Sequence, residues 1–167
     1  MQPVPSTAEI IAYKMLNRGV EGTWANWAVK MLMVGFDTEN LVILAGIYPP
    51  YNQFELRVLT DKVFKELNID YTDKEKVLKN YASYLVSQCL AVQKDYFFVL
   101  NILRDIWIEL DGDDTLNDFN YFYWAKDDLL YADQHKYYDP AFCSNIDSII
   151  KDYFESWLLE NPVGFGG

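Results

Sequence analysis

Apolar residues recur along this chain at three- and four-residue intervals, and capping residues, glycines or prolines separate the runs. Ser6-Thr7-Ala8-Glu9 has the form of a capping box, in which Ser6 accepts from an orphan backbone N–H and Glu9 reaches back. The helix it opens is predicted to run to about Asn17, with Gly19 as its stop. A second helix carries Trp24, Trp27, Ala28, Met31 and Leu32 on one face and ends at Gly35. Asp37 then caps a short helix bearing Leu41, Leu44 and Ala45, which Gly46 and the Pro49-Pro50 pair terminate. Asn52 and Glu55 begin a helix with Leu56, Leu59, Val63 and Leu67 at helical spacing. Thr72-Asp73-Lys74-Glu75 opens a long one through Leu78, Tyr81, Leu85, Cys89 and Val92.

The segment Tyr96–Leu110 is apolar nearly all round, the pattern of a central, buried helix. It either continues the preceding helix through a kink or begins anew. Asp111-Gly112-Asp113-Asp114 breaks it, and a helix from about Leu116 to Ala132 follows. After an irregular stretch, Asp133–Pro140, the last helix is expected to be capped by Ser144 or Asn145. Its face Ile146, Ile149, Ile150, Tyr153, Phe154, Trp157, Leu158 is the cleanest periodic pattern in the chain. No segment alternates with period two for long enough to argue a sheet. The fold class is therefore all-α, a single-domain bundle or compact array of about seven helices. A stubby helical solenoid ranks below a simple bundle, because no repeat of fixed period is found. Residues 1–160 form the expected domain and 161–167, rich in glycine, a flexible tail.

Composition narrows the class. The chain has 167 residues, of which 51% are hydrophobic and 17% aromatic, far from the make-up of a disordered tail. The longest apolar stretches, such as Leu41–Ile47, fall short of the roughly 18 residues a membrane span needs. Met1-Gln2-Pro3-Val4-Pro5 lacks a basic region followed by an apolar block, so no signal peptide is expected. Cys89 and Cys143 sit in apolar helical patterns without a C-x-x-C, which suits reduced, buried thiols. These points together lead to the expectation of a cytoplasmic protein.

Charge changes the picture more. Net charge is −11, and it is not spread evenly. Residues 1–104 hold 11 acidic and 11 basic side chains, whereas residues 105–167 hold 14 acidic and 3 basic. The last third therefore carries all of it. Such a field repels nucleic-acid phosphates and anionic membrane, and it attracts a basic protein. The same field would also arise from a surface that serves solubility alone.

Signals for catalysis are sparse. His135 is the only histidine, so any thiol or hydroxyl nucleophile relying on one must use it. Cys143 and Asp139 lie nearby in sequence and would complete a nucleophile, base and orienter; a surface histidine beside an unrelated helix start explains them as well. Soft metal sites need more Cys and His than the chain has. Asp111, Asp113, Asp114 and Asp118 invite a calcium loop, but Thr115, Leu116 and Phe122 occupy positions where the pattern needs a ligand, a glycine and a glutamate. Asp113 or Asp114 fits better as the cap of the next helix. No phosphate-binding glycine loop occurs. The expectation is a protein that is not an enzyme and holds no cofactor or metal.

The sharpest candidate is the run Tyr121-Phe122-Tyr123-Trp124. Four consecutive aromatics on a helix spread around its circumference, so one or two must reach a surface or groove. Asp111, Asp113, Asp114 and Asp118 precede the run, and Asp127, Asp128 and Asp133 follow it. Exposed Tyr and Trp rimmed by charge is the composition of a protein-binding hot spot. In that reading Tyr123 and Trp124 anchor a partner, while Asp111, Asp113, Asp114, Asp118, Asp127 and Asp128 steer it. The alternative is that Tyr123 and Trp124 pack between helices and the acids only solvate the far side. A homodimer built on the cluster is another occupant this composition allows.

The block Trp27-Ala28-Val29-Lys30-Met31-Leu32, then Leu41-Val42-Ile43-Leu44-Ala45, then Asn52-Gln53-Phe54-Glu55 resembles a pattern in small uncharacterised bacterial helical proteins. Those have W-A-x-x-M-L, then L-x-x-L-A, then an acidic or amide residue before F-E. The resemblance spans about Gly22–Leu67 and rests mostly on helix-packing residues. In type, small acidic helical proteins also resemble immunity proteins that neutralise basic toxin nucleases; this likeness transfers no functional residue. The functional expectation is a non-catalytic, acidic protein-binding module, concretely an immunity protein facing a basic toxin. The alternative is a helical binder of a small molecule.

Overall fold

The computed structural model describes residues 1–92, 94–131 and 137–164. Among these residues are eight α-helices and no strand, so the chain is all-α as its periodicity requires. The helices are α1 (Thr7–Met15), α2 (Gly22–Met33), α3 (Glu39–Ala45), α4 (Gln53–Glu66), α5 (Lys74–Val92), α6 (Tyr96–Glu109), α7 (Asn117–Tyr131) and α8 (Pro140–Glu160). A 3-10 turn, Asp114–Leu116, leads into α7. No helix among the described residues is long and apolar enough to cross a membrane.

Four helices stop in the same way. After α1 the Arg18 N–H donates to the Tyr13 carbonyl (2.9 Å) and the Asn17 N–H to that of Lys14 (3.1 Å). The equivalent pairs close α2 at Gly35, α4 at Asn68 and α6 at Asp111. In each, the residue after the cap has positive φ: Asn17, Asn68 and Asp111 at 53° and Gly35 at 96°. This is the Schellman motif, which satisfies the orphan carbonyls of the last turn. Asn17, rather than the expected Gly19, therefore ends α1, because asparagine tolerates the left-handed conformation.

Starts follow side-chain caps where the backbone needs them. Asn52, Asp73 and Asp95 each accept a backbone N–H two or three residues on. The Ser6–Glu9 box does not form. Ser6 is itself helical, and a turn through Pro5 already gives the Thr7 and Ala8 N–H groups the carbonyls of Val4 and Pro5. Glu9 instead accepts from the Tyr13 hydroxyl at 3.0 Å. Thr38, not Asp37, stands at the cap of α3. The last helix starts earlier than Ser144 or Asn145. Asp139 accepts from the N–H groups of Ala141 (2.7 Å) and Phe142 (3.4 Å), and Pro140 occupies the first turn, where its missing N–H costs nothing. Ser144 and Asn145 lie inside that helix and donate back to the Ala141 carbonyl.

The chain falls into two compact units, Met1–Tyr81 with Val163–Gly167, and Ala82–Pro162; their boundary lies within α5. In the first, α2 packs on α3 and α3 on α4. Its core centres on Trp24, Trp27, Met31, Leu41, Leu44 and Phe64, all essentially buried. Burying a large apolar side chain contributes roughly 2–3 kcal/mol. The indole N–H of Trp27 donates to the Thr7 hydroxyl (2.9 Å), so its one polar atom is satisfied inside the core. Residues beyond Glu160 were expected to be loose. Gly164 is held: its N–H donates to the Asn80 Oδ1 at 2.6 Å and its carbonyl accepts from the same amide.

The second unit gathers α6, α7, α8 and the end of α5. Phe119 sits at its centre, edge-on to Trp157 (4.9 Å), Phe154 (5.8 Å) and Tyr153 (5.4 Å). Trp157 donates its indole N–H to the Ser83 hydroxyl. The α8 face read from sequence is the buried one, through Ile146, Ile150, Phe154 and Trp157. For α6 the expectation of all-round burial fails. The helix begins anew at Asp95 and buries Val99, Leu100, Leu103 and Ile106, while Phe98 and Ile108 are more than half exposed. An apolar stretch marks what a helix is able to bury, and neighbours cover only one side of this one.

Candidate functional site

Helix α7 carries the aromatic run, and its two faces differ. Phe119, Phe122, Tyr123, Ala125 and Lys126 point inward. Tyr121, Trp124, Asp128 and Tyr131 follow three-, four- and three-residue steps and so share one outer stripe, with Asp127 beside it. Tyr121 and Trp124 are each 51% exposed and Tyr131 is 74% exposed.

The two expected anchors therefore part company. Trp124 is on the surface. Tyr123 is 9% exposed and is a packing residue: Phe97 stacks on it at 5.2 Å with the planes 8° apart, and Trp124 meets it edge-on at 5.1 Å. The correction has a simple cause: consecutive helical residues point about 100° apart, and the direction of Tyr123 is the one that Phe97 of α6 covers.

The acidic residues do not form one rim. Asp111 occupies the left-handed position that ends α6. Asp113 caps the 3-10 turn, accepting the Thr115 N–H at 2.9 Å and also the Thr115 hydroxyl. Asp114 accepts from the Asn117 amide at 3.1 Å. These three organise the α6–α7 connection, and Asp118 stands in the first turn of α7. Asp127 and Asp128 lie at the other end, about 15 Å along the helix from Asn117. Of the expected steering groups, then, Asp128 lies on the outer stripe with the exposed rings, Asp127 stands beside it one turn after Trp124, and Asp118 borders it one turn before Tyr121.

Local electrostatics separates the carboxylates further. Asp128 accepts the Tyr138 hydroxyl at 2.8 Å; burial, and then this bond, push that phenol up to about 12. Burial also raises Tyr153, with the Asp118 carboxylate adding to the shift. Asp127 receives no donor from the described residues. Lys126 is nearly buried and pairs with Asp147 on α8, so it neutralises neither carboxylate that follows it.

Sequence reasoning missed part of this surface. Phe142 packs against Tyr121 (6.3 Å) and stacks on Tyr138 (5.5 Å), and Phe97 leans on Tyr131 at 5.8 Å. Phe142 lies in the first turn of α8, two residues before the expected cap, so the pattern offered no sign of it. The thiol arrangement finds no support in the described residues. Asp139 is committed to capping α8, Cys143 is half-buried on that helix, and His135 and Asp133 lie outside the described residues. Cys89 is buried, which pushes its thiol up to about 11. Among the described residues no three His, Cys, Asp or Glu side chains are grouped as metal ligands would be.

No protein-family model matches the chain, and neither a curated protein nor a solved structure matches it.

Proposed function

We propose that this protein is a non-catalytic, acidic protein-binding module whose docking face is the outer stripe of α7. The observation that carries this reading is the placement of half-exposed Trp124 one turn, and Tyr121 two turns, before Asp127 and Asp128. Amphipathic rings supply contact area at low entropic cost, and adjacent carboxylates favour a cationic partner. The sequence of the unit that bears this face holds 15 acidic against 5 basic residues, net −10, whereas the other unit holds 10 against 9, net −1. Long-range attraction of a basic protein is therefore concentrated on the unit that presents the rings. In its concrete form the partner is a basic toxin and the role is that of an immunity protein, acting by steric and electrostatic blockade in the cytoplasm.

The test is affinity capture from lysate of the source cell, at low and high salt, with wild type and Trp124→Ala side by side. The reading expects a basic protein retained by wild type at low salt and lost both at high salt and with the variant. A partner captured equally by both proteins, or indifferent to salt, would overturn it.

A further inference from the structure

We infer that the first unit holds a binding site for a small oxyanion, a carboxylate or a phosphate, in the cleft between the end of α1 and the middle of α4. The cleft encloses about 180 Å³, and Lys14, Arg18, Trp24, Arg57, Thr60 and Asp61 line it. Three cations face a single carboxylate there. That carboxylate is already engaged, because Lys14 Nζ pairs with Asp61 Oδ1 at 2.6 Å and donates to the Thr60 hydroxyl at 2.9 Å. Arg18 and Arg57 have no ion-pair partner among the described residues. Each guanidinium presents a planar fork of donors that matches two oxygens of a carboxylate or phosphate. Two arginines outside any ion pair among the described residues, lining one small cleft whose own carboxylate Asp61 is taken by Lys14, are a recognition element rather than a stability element.

The site is also preorganised. The turn at Asn17 that ends α1 fixes the backbone of Arg18, whose guanidinium lies over the Tyr13 ring at 4.8 Å. Two residues on, Gln53 grips both backbone groups of Val20, accepting its N–H at 2.8 Å and donating to its carbonyl at 2.9 Å. Lys14 is tied to α4 by a third contact, to the Arg57 carbonyl. For Lys14 and Arg18, then, little ordering remains for a ligand to impose, and Arg57 is the cation it would order. The indole N–H of the wall residue Trp24 has no acceptor among the described residues, although the residue is 1% exposed. A second cleft of about 220 Å³ adjoins the first and shares Arg18 and Trp24 with it. Each is smaller than a typical pocket for a drug-sized ligand, roughly 300–1,000 Å³, which restricts the occupant to a small anion. The protein's strong negative charge does not oppose this, since the unit that carries the cleft is close to neutral by sequence.

The test follows the Trp24 indole N–H by heteronuclear NMR while inorganic phosphate, or separately succinate, is titrated at low ionic strength. Wild type should show a saturable shift with at least one anion. Arg18→Gln and Arg57→Gln should each weaken that binding about tenfold. Lys30→Gln, an exposed cation on α2 outside the cleft, removes the same charge and should change nothing. Saturation by phosphate alone assigns a phosphorylated ligand, and by succinate alone a carboxylate ligand. Both arginines are exposed, and unchanged thermal unfolding of the variants would show that the fold is kept. Shifts that never saturate, or that are the same in Arg18→Gln and wild type, overturn the proposal.

Discussion

The guanidinium of Arg104 lies 4.3 Å from the centre of the Tyr123 ring, which makes α6 and α7 partners through a cation and a phenol rather than through aliphatic packing alone. Phe97, about two helix turns before Arg104, stacks on the same ring. Tyr123 is thus held by two residues of α6, while its neighbour Trp124 faces out.

Substitution should separate these two rings. Tyr123→Ala should lower stability by about 3 kcal/mol, through lost burial and the cavity left behind. Trp124→Ala should cost no more than about 1 kcal/mol, because half of the ring is already in water. Denaturant unfolding measures both. Equal losses would show that Trp124 is a core residue and would remove it from the docking face.

The start of α8 offers a second contrast. Asp139→Ala should cost about 1 kcal/mol, since two N–H groups lose their acceptor. Ser144→Ala, inside the helix, should stay within about 0.5 kcal/mol of wild type. If Ser144 proved the more costly, the helix would begin near Cys143, as the bare pattern suggested.

Asp111 carries a conformational cost at φ 53°. Asp111→Gly should raise stability by about 0.5–1 kcal/mol, and the β-branched Asp111→Val should lower it. A loss of stability in the glycine variant would mean that the carboxylate, and not the turn, is what matters at this position.

Lys126 and Asp147 form an unequal pair, the ammonium nearly buried and the carboxylate mostly exposed. Asp147→Ala leaves a buried cation without its partner and should cost roughly 1–2 kcal/mol. Lys126→Met keeps the aliphatic volume, removes the charge and should cost less. The reverse order in thermal unfolding would show that the pair, rather than the burial of the lysine stem, is dispensable.

Alkaline pH should unfold the protein through its tyrosines. Tyr13, Tyr81, Tyr96, Tyr138 and Tyr153 all have raised phenol pKa values, chiefly through burial. Above about pH 10 the unfolded chain loses these protons and the native one keeps them. The unfolded state then binds fewer protons, and stability falls as pH rises. For Tyr138 the window runs from 10 to about 12. Ultraviolet absorbance of phenolate should show a group of the 13 tyrosines titrating normally and the rest only together with unfolding. A single transition near the free value would contradict their burial.

Much of this architecture is a local matter and was legible. The α8 face Ile146, Ile150, Phe154, Trp157 is buried as its spacing requires, and Asn52 caps α4 as its side chain allows, because helical period and capping depend on residues within one or two turns. Sequence also placed the negative charge in the last third and the aromatic run on one helix. What it left open depends on residues far apart in the chain. Whether Tyr123 or Trp124 faces solvent was decided by Phe97 and Arg104, and whether α6 is covered on every side was decided by how few neighbours reach Phe98 and Ile108. The cleft of Lys14, Arg18 and Arg57 had no sequence signature at all: its cations come from two helices and a turn about 40 residues apart, and only the packing of α1 against α4 assembles them.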